Sequence, residues 1–160
     1  MLRTISNTLG AGLFVPVEQE LSRRAAAANV AGEGTVGIAL RSGQVAAALL
    51  VAINLGCLTM ARPIASGVFD GQVVLVGCLA LTTAAFAAQH LTRGVLSAAG
   101  RFDAYGLQML ADGVLRNLGV LGVVAWIALA GPERPAPAIG ALGAVVVLAP
   151  ALSLAVSARR

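Results

Sequence analysis

Charged residues cut this chain into long uncharged runs. Twenty residues without charge separate Arg41 from Arg62, and twenty-two separate Asp70 from Arg93. Sixteen lie between Arg116 and Glu133, and twenty-four between Arg134 and Arg159. A helix of about 20 mainly apolar residues, rising 1.5 Å per residue, crosses about 30 Å of hydrocarbon. Three of the runs meet that length outright; the run after Arg116 does so once Asp112 and Arg116 are allowed at its cytoplasmic end. The runs are continuously apolar rather than alternating, which predicts helices and not barrel strands. The expected fold is all-α: residues 1–160 form one polytopic transmembrane bundle of about five helices, with spans at about 4–22, 42–61, 71–92, 104–130 and 139–158.

The first span is the least regular, because it holds Pro16, Glu18 and Glu20. It is expected to be a helix with its polar face turned toward protein or water. Pro16 has no amide hydrogen and releases the carbonyl of Gly12. Residues 23–41 form a linker that starts as an Ala-rich helical extension and continues through Gly32, Gly34 and Gly37. Arg62, Pro63 and Asp70 mark the next loop, 93–103 another, and Gly131, Pro132, Pro135 and Pro137 a tight turn.

Composition supports this division. The chain is 58% hydrophobic and 11% charged, against about 25% charged residues in soluble domains. A net charge of +4 raises the possibility of nucleic acid, but the eleven basic residues are all Arg, placed singly or in pairs at span ends. They form no stripe and lack aromatic interleaving, so no nucleic-acid partner is expected. Arginines so placed orient membrane helices. Arg23, Arg24, Arg41, Arg93, Arg101, Arg159 and Arg160 fall on one side, against Arg3, Arg62 and Arg134 on the other. The first side is expected to be cytoplasmic, with the C-terminus inside and the N-terminus outside. Such a start, without a signal peptide, is naturally explained by one span missing before Met1. Cys57 and Cys78 both fall inside spans as small apolar residues; a disulfide between them needs a separation that spacing does not give.

Some patterns resemble chemistry that the surroundings exclude. Gly32-Glu33-Gly34-Thr35-Val36-Gly37 matches the dinucleotide-binding spacing, but that site needs a preceding strand, and here an Ala-rich helix precedes it. Asp112-Gly113-x-x-Arg116 resembles part of the aspartate motif of CDP-alcohol phosphotransferases, which needs further aspartates for its metals; none follows Asp112. His90 is the only histidine, so no histidine-based metal site is available, and with Gln89 it is expected near the cytoplasmic interface. No enzyme activity and no cofactor are expected.

Two polar clusters remain, and charge in or beside a bilayer tends to face a cavity or a partner. One is Pro16 to Arg24, with Glu18, with Glu20 and Arg24 spaced i, i+4, and with Arg23. It reads either as a kinked helix ending in an interfacial ion pair or as a broken helix lining a polar cavity. The other joins Arg93, Arg101, Tyr105, Asp112 and Arg116. Tyr105, Gln108, Asp112 and Arg116 share one helix face, either as a self-neutralised pair easing insertion or as the inner mouth of a cavity whose arginines meet phosphate.

Phe14-Val15-Pro16-Val17-Glu18-Gln19-Glu20 with Ser22-Arg23, then Phe69-Asp70-Gly71, Arg93-Gly94-Val95-Leu96 and Gly100-Arg101-Phe102-x-Ala104-Tyr105-Gly106 form an ordered set of landmarks. Together they resemble the N-terminal half of actinobacterial polysaccharide flippases, in the multidrug/oligosaccharidyl-lipid/polysaccharide exporter superfamily, from about residue 4 to 158. The resemblance implies two bundles of about six helices around a cavity through which lipid-linked oligosaccharide crosses the membrane. These spans would be the second to sixth helices, and the second bundle would be missing or separate. Glu18, Glu20, Arg23, Arg93, Arg101, Tyr105, Asp112 and Arg116 would form or approach the cavity. The expected partners are membrane lipid and a lipid-linked glycan in the cytoplasmic membrane. A small membrane interaction subunit is the rival reading, resting on small-residue pairs such as Ser6/Gly10 and Gly140/Ala144. A membrane enzyme with an unrecognised site is the third.

Overall fold

A computed structural model of the chain describes residues 2–130 and, beyond them, Ala144, Val145, Leu148, Ala149 and Leu152. Among the described residues five helices follow one another: α1 (Leu2–Val30), α2 (Val36–Thr59), α3 (Ala61–Val68), α4 (Val73–Ala98) and α5 (Phe102–Ala130). The fold is all-helical, as the uninterrupted apolar runs require. Three helices are long and apolar enough to cross a membrane: Val36–Thr59, Val73–Ala98 and Phe102–Trp126. The chain is therefore a multi-pass membrane protein. The expected span 139–158 and the turn before it lie outside the described stretch, apart from the five positions named. Gly140 does too, as do the side-chain surroundings of Ser6 and Gly10.

The helix ends differ from the expected ones. Helix α1 is continuous through Pro16 and reaches Val30, so the chain is not broken at the proline. It ends where Gly32 takes a left-handed φ of 71°. There the Glu33 amide reaches the Ala28 carbonyl at 2.8 Å and the Gly32 amide reaches Asn29 at 3.2 Å, a cap that glycine accepts without steric cost. The same cap ends α4 at Gly100. The glycines that spell a nucleotide motif thus begin as a helix stop. The expected 62–70 loop contains the short helix α3, and α4 continues through 93–98, which the charge pattern had assigned to a loop.

Helix α4 is the centre, packed against each of the other four. Its sequence explains why. Thr82, Phe86, Gln89, Arg93 and Leu96 form one stripe spaced four, three, four, three, and Thr83, Ala87, His90, Gly94 and Ser97 form a second beside it. Two adjacent stripes of this period can meet neighbours on two sides. Helix α1 offers a matching stripe of Phe14, Glu18, Leu21, Ala25 and Ala28. Phe14, Ala46, Phe86 and Ala87 join α1, α2 and α4 in one apolar cluster. Cys57, Ala65, Phe69, Val76 and Leu79 join α2, α3 and α4 in another. Cys57 and Cys78 are free thiols.

The outer surface is apolar. Leu40, Val45, Val51, Leu55 and Leu58 of α2 and Leu110, Val114, Leu118, Leu121 and Val124 of α5 all point outward. Water would penalise such a continuous surface, whereas lipid solvates it. Because lipid also removes most of the hydrophobic drive for helix association, close packing and polar contacts have to hold the bundle.

Helices α1 and α4 pack closely at Gly94. A Cβ there would lie 2.9 Å from Leu21 Cδ2 and 3.1 Å from the Glu18 carbonyl oxygen. On α5, a Cβ at Gly119 would collide with the Val145 side chain, which fixes a contact between α5 and the last segment. Gly94→Ala is expected to destabilise the protein by about 1–3 kcal/mol through overpacking, measured by thermal unfolding in detergent. Gly113→Ala, where a Cβ would meet nothing within 4 Å, is expected to leave stability near wild type. Equal melting of the two variants would show that α1 and α4 are not in close contact.

Candidate functional site

Glu18 occupies a position of the α1 stripe that is otherwise apolar, so the helix period alone carries its carboxylate into the seam with α4. There His90 meets it: Nδ1 lies 2.5 Å from Glu18 Oε2, with side chains only 7% and 13% exposed. Tyr105, at the start of α5, donates its hydroxyl to Glu18 Oε1 at 3.2 Å. Three helices therefore converge on one carboxylate. The imidazole is framed by Phe14, stacked at 6.5 Å between centroids, and by Phe86 at 6.2 Å. Both rings keep water from the pair and so strengthen it.

Phe86 extends the group toward the middle of α5. The Arg116 guanidinium lies 5.1 Å over its ring and is also bound through Nη2 to both oxygens of Asp112, at 3.0 and 3.1 Å. Gln108, fully buried, donates to the Gln89 backbone carbonyl at 3.4 Å, joining α5 to α4. Ser22 Oγ donates to Ser97 Oγ at 3.0 Å, joining α1 to α4 one helical stretch nearer their C-terminal ends. Asn29 donates to the Ala98 carbonyl at 3.0 Å, so those two ends lie side by side.

A cavity of about 480 Å³ opens between these helices, lined by Val15, Glu18, Gln19, Ser22, Arg23, Arg93, Ser97, Tyr105 and Met109. Of the residues expected at a cavity from the sequence, Glu18, Arg23, Arg93 and Tyr105 share this one. Asp112 and Arg116 pair with each other and do not line it. Glu20 turns to a different cavity, of about 520 Å³, between α1 and α2, which Arg24 also lines; its carboxylate binds Arg24 at 2.5 Å and Arg23 at 2.9 Å. Arg101 is exposed in the short connection after α4.

His90, Ser22 and Ser97 are not among the cavity residues expected from the sequence. His90 was expected near an interface, but α4 continues for eight residues beyond it, about 12 Å of helix. Its signal was the stripe it shares with Thr83, Ala87, Gly94 and Ser97. No family model, no curated protein and no solved structure matches the chain.

The Glu18–His90 contact predicts energetic coupling. Glu18→Ala and His90→Ala are each expected to cost about 1–3 kcal/mol by stranding a buried polar partner. The double variant should cost less than the two together, by about 0.5–3 kcal/mol, as read from unfolding midpoints in one detergent. Additive costs would mean that the two side chains do not interact.

Proposed function

We propose that this chain is part of a membrane transporter that moves lipid-linked oligosaccharide or polysaccharide precursors across the cytoplasmic membrane. The observation that carries the reading is the polar cavity between α1, α4 and α5, set inside a bundle whose outer face is apolar. Polar lining at membrane depth is costly unless it serves a path or a partner. Glu18, Ser22, Arg93, Ser97 and Tyr105 supply both signs of charge and hydroxyl donors, the groups that a sugar–phosphate headgroup requires. Of the landmarks that resemble polysaccharide flippases, Val15, Glu18, Gln19, Ser22, Arg23, Arg93 and Tyr105 line this cavity, while Phe69-Asp70-Gly71 lies at the other end of α4.

The proposed topology has the same support. The ends of α1 and α4 lie together through the Asn29–Ala98 bond. The arginines at 23, 24, 41 and 101 therefore gather at one end of the bundle, which we take to be cytoplasmic. The N-terminus then lies outside, and the cavity is nearer the cytoplasmic end. Transport by alternating access needs a second bundle to move against the first, and we take that bundle to be a partner or a further part of the transporter.

A small membrane interaction subunit is the second reading, favoured by the broad apolar faces of α2 and α5, which other helices could cover as well as lipid. Export separates the two. Within the assembled transporter, Arg93→Ala is expected to lower export of lipid-linked glycan roughly tenfold, the loss of one charge-assisted contact, with protein abundance unchanged. Arg101→Ala, altering an exposed residue outside the cavity, should lower it far less. Normal export by the Arg93 variant would sink the cavity assignment. Co-purification with a defined partner and no export defect from any cavity variant would favour the subunit.

A further inference from the structure

The cavity of about 520 Å³ between α1 and α2 is separate from the one that Arg93 lines, and its walls are graded. Residues 31–35 join the two helices, a connection short enough to make them antiparallel neighbours. Glu33 and Gly34 of that connection form the polar end of the cavity. Arg24 and Arg41 follow, about 9 and 8 Å along their helices from the connection, and Val17 and Val45 lie deeper, at about 20 and 14 Å. Two carboxylates, Glu20 and Glu33, face two guanidinium groups, Arg24 and Arg41, so the lining is neutral as a whole. These four do not all neutralise one another. Glu20 holds Arg24 and Arg23, whereas Glu33 and Arg41 make no ion pair with any described residue, although they line one cavity. Gly34 and Gly37 leave the polar end open, since a Cβ at either would meet nothing within 4 Å. The residues that spell a nucleotide motif in the sequence thus shape the mouth of a groove.

We propose that this groove binds a membrane phospholipid with a zwitterionic, primary-amine headgroup, of which phosphatidylethanolamine is the simplest. The Arg41 guanidinium offers its fork to the phosphate oxygens. Glu33 accepts hydrogen bonds from the ammonium group, which two carbons separate from that phosphate. Val17 and Val45 meet the start of an acyl chain; Val45 is 53% exposed, so the groove opens on the face of α2 that lipid covers. A neutral lining disfavours a lipid with net negative charge, which would meet the carboxylates of Glu20 and Glu33 along with the arginines. A choline headgroup has no N–H to donate, and quaternary ammonium groups are held by aromatic faces; among the described residues no aromatic side chain lines this cavity. The order of the walls also suits a lipid, with charges toward the helix ends, where headgroups lie, and valines toward the hydrocarbon. The site needs only the membrane setting and does not rest on the transport reading.

The test uses the whole chain in nanodiscs of phosphatidylcholine, part of which is replaced by phosphatidylethanolamine or by phosphatidylglycerol with the same acyl chains. One readout is the unfolding midpoint, because a ligand that binds the folded state raises it. The other is the lipid retained per chain after transfer into detergent, identified by mass spectrometry. Phosphatidylethanolamine is expected to raise the midpoint and to be retained; phosphatidylglycerol is expected to do neither. Glu33→Gln and Arg41→Gln should each weaken retention roughly tenfold, the loss of one charge-assisted contact. Gly37→Leu places its side chain in open space, so it should fold normally, block the groove and abolish both signals. Arg101→Gln, outside the cavity, should keep both. No response to phosphatidylethanolamine overturns the proposal, as does an equal response to phosphatidylglycerol. A response that survives in Glu33→Gln, Arg41→Gln and Gly37→Leu also overturns it, because a general effect of the bilayer would then explain the rise.

Discussion

A carboxylate in an apolar helix stripe has to find a partner inside the protein, and the way Glu18 does so shapes the whole bundle. Its partner His90 is on α4, and the two backbones must come close for side chains of this length to meet at 2.5 Å. Gly94, one turn beyond His90, permits that approach, since Leu21 and the Glu18 carbonyl would otherwise meet a Cβ. Small side chain and polar pair are thus two halves of one constraint. In lipid, where apolar burial contributes little to helix association, a seam of this kind is what can hold α1 against α4.

The rest of the arrangement follows from that seam. With α1 fixed on one side of α4, Tyr105 at the start of α5 reaches the second oxygen of Glu18. Arg116, on the same helix face of α5, covers Phe86. The polar groups of three helices are drawn toward one another and away from lipid, while Leu and Val residues of α2 and α5 take the outer surface. A cavity remains where the three helices diverge, and its walls carry the side chains that the seam did not consume. Arg93 is the chief of these: it is buried at the cavity wall and makes no ion pair with any described residue.

Much of this was legible in the chain. The uncharged runs announce membrane helices, and the 4–3–4–3 stripes of α1 and α4 mark which faces meet. The polar clusters around Glu18 and Arg93 stand out because charge near hydrocarbon is costly. Helix ends were less legible. Arg93 reads as a loop residue when charge is taken to mark an interface, yet the backbone stays helical until Gly100 supplies a left-handed stop. His90 reads as interfacial for the same reason. Its burial depends on Glu18, seventy-two positions away, and no local pattern contains that distance.

Local composition and the period of a helix are enough to make the chain helical, apolar on its outside and polar at two clusters. Helix spacing alone already puts Glu20 beside Arg24 and Asp112 beside Arg116. The partners of Glu18, His90 and Tyr105, come from other helices and leave Arg93 facing the cavity. Such pairing depends on which helices touch and at what rotation. That is set by the close contact at Gly94 and by competition among partners in space, and spacing along the chain does not record it.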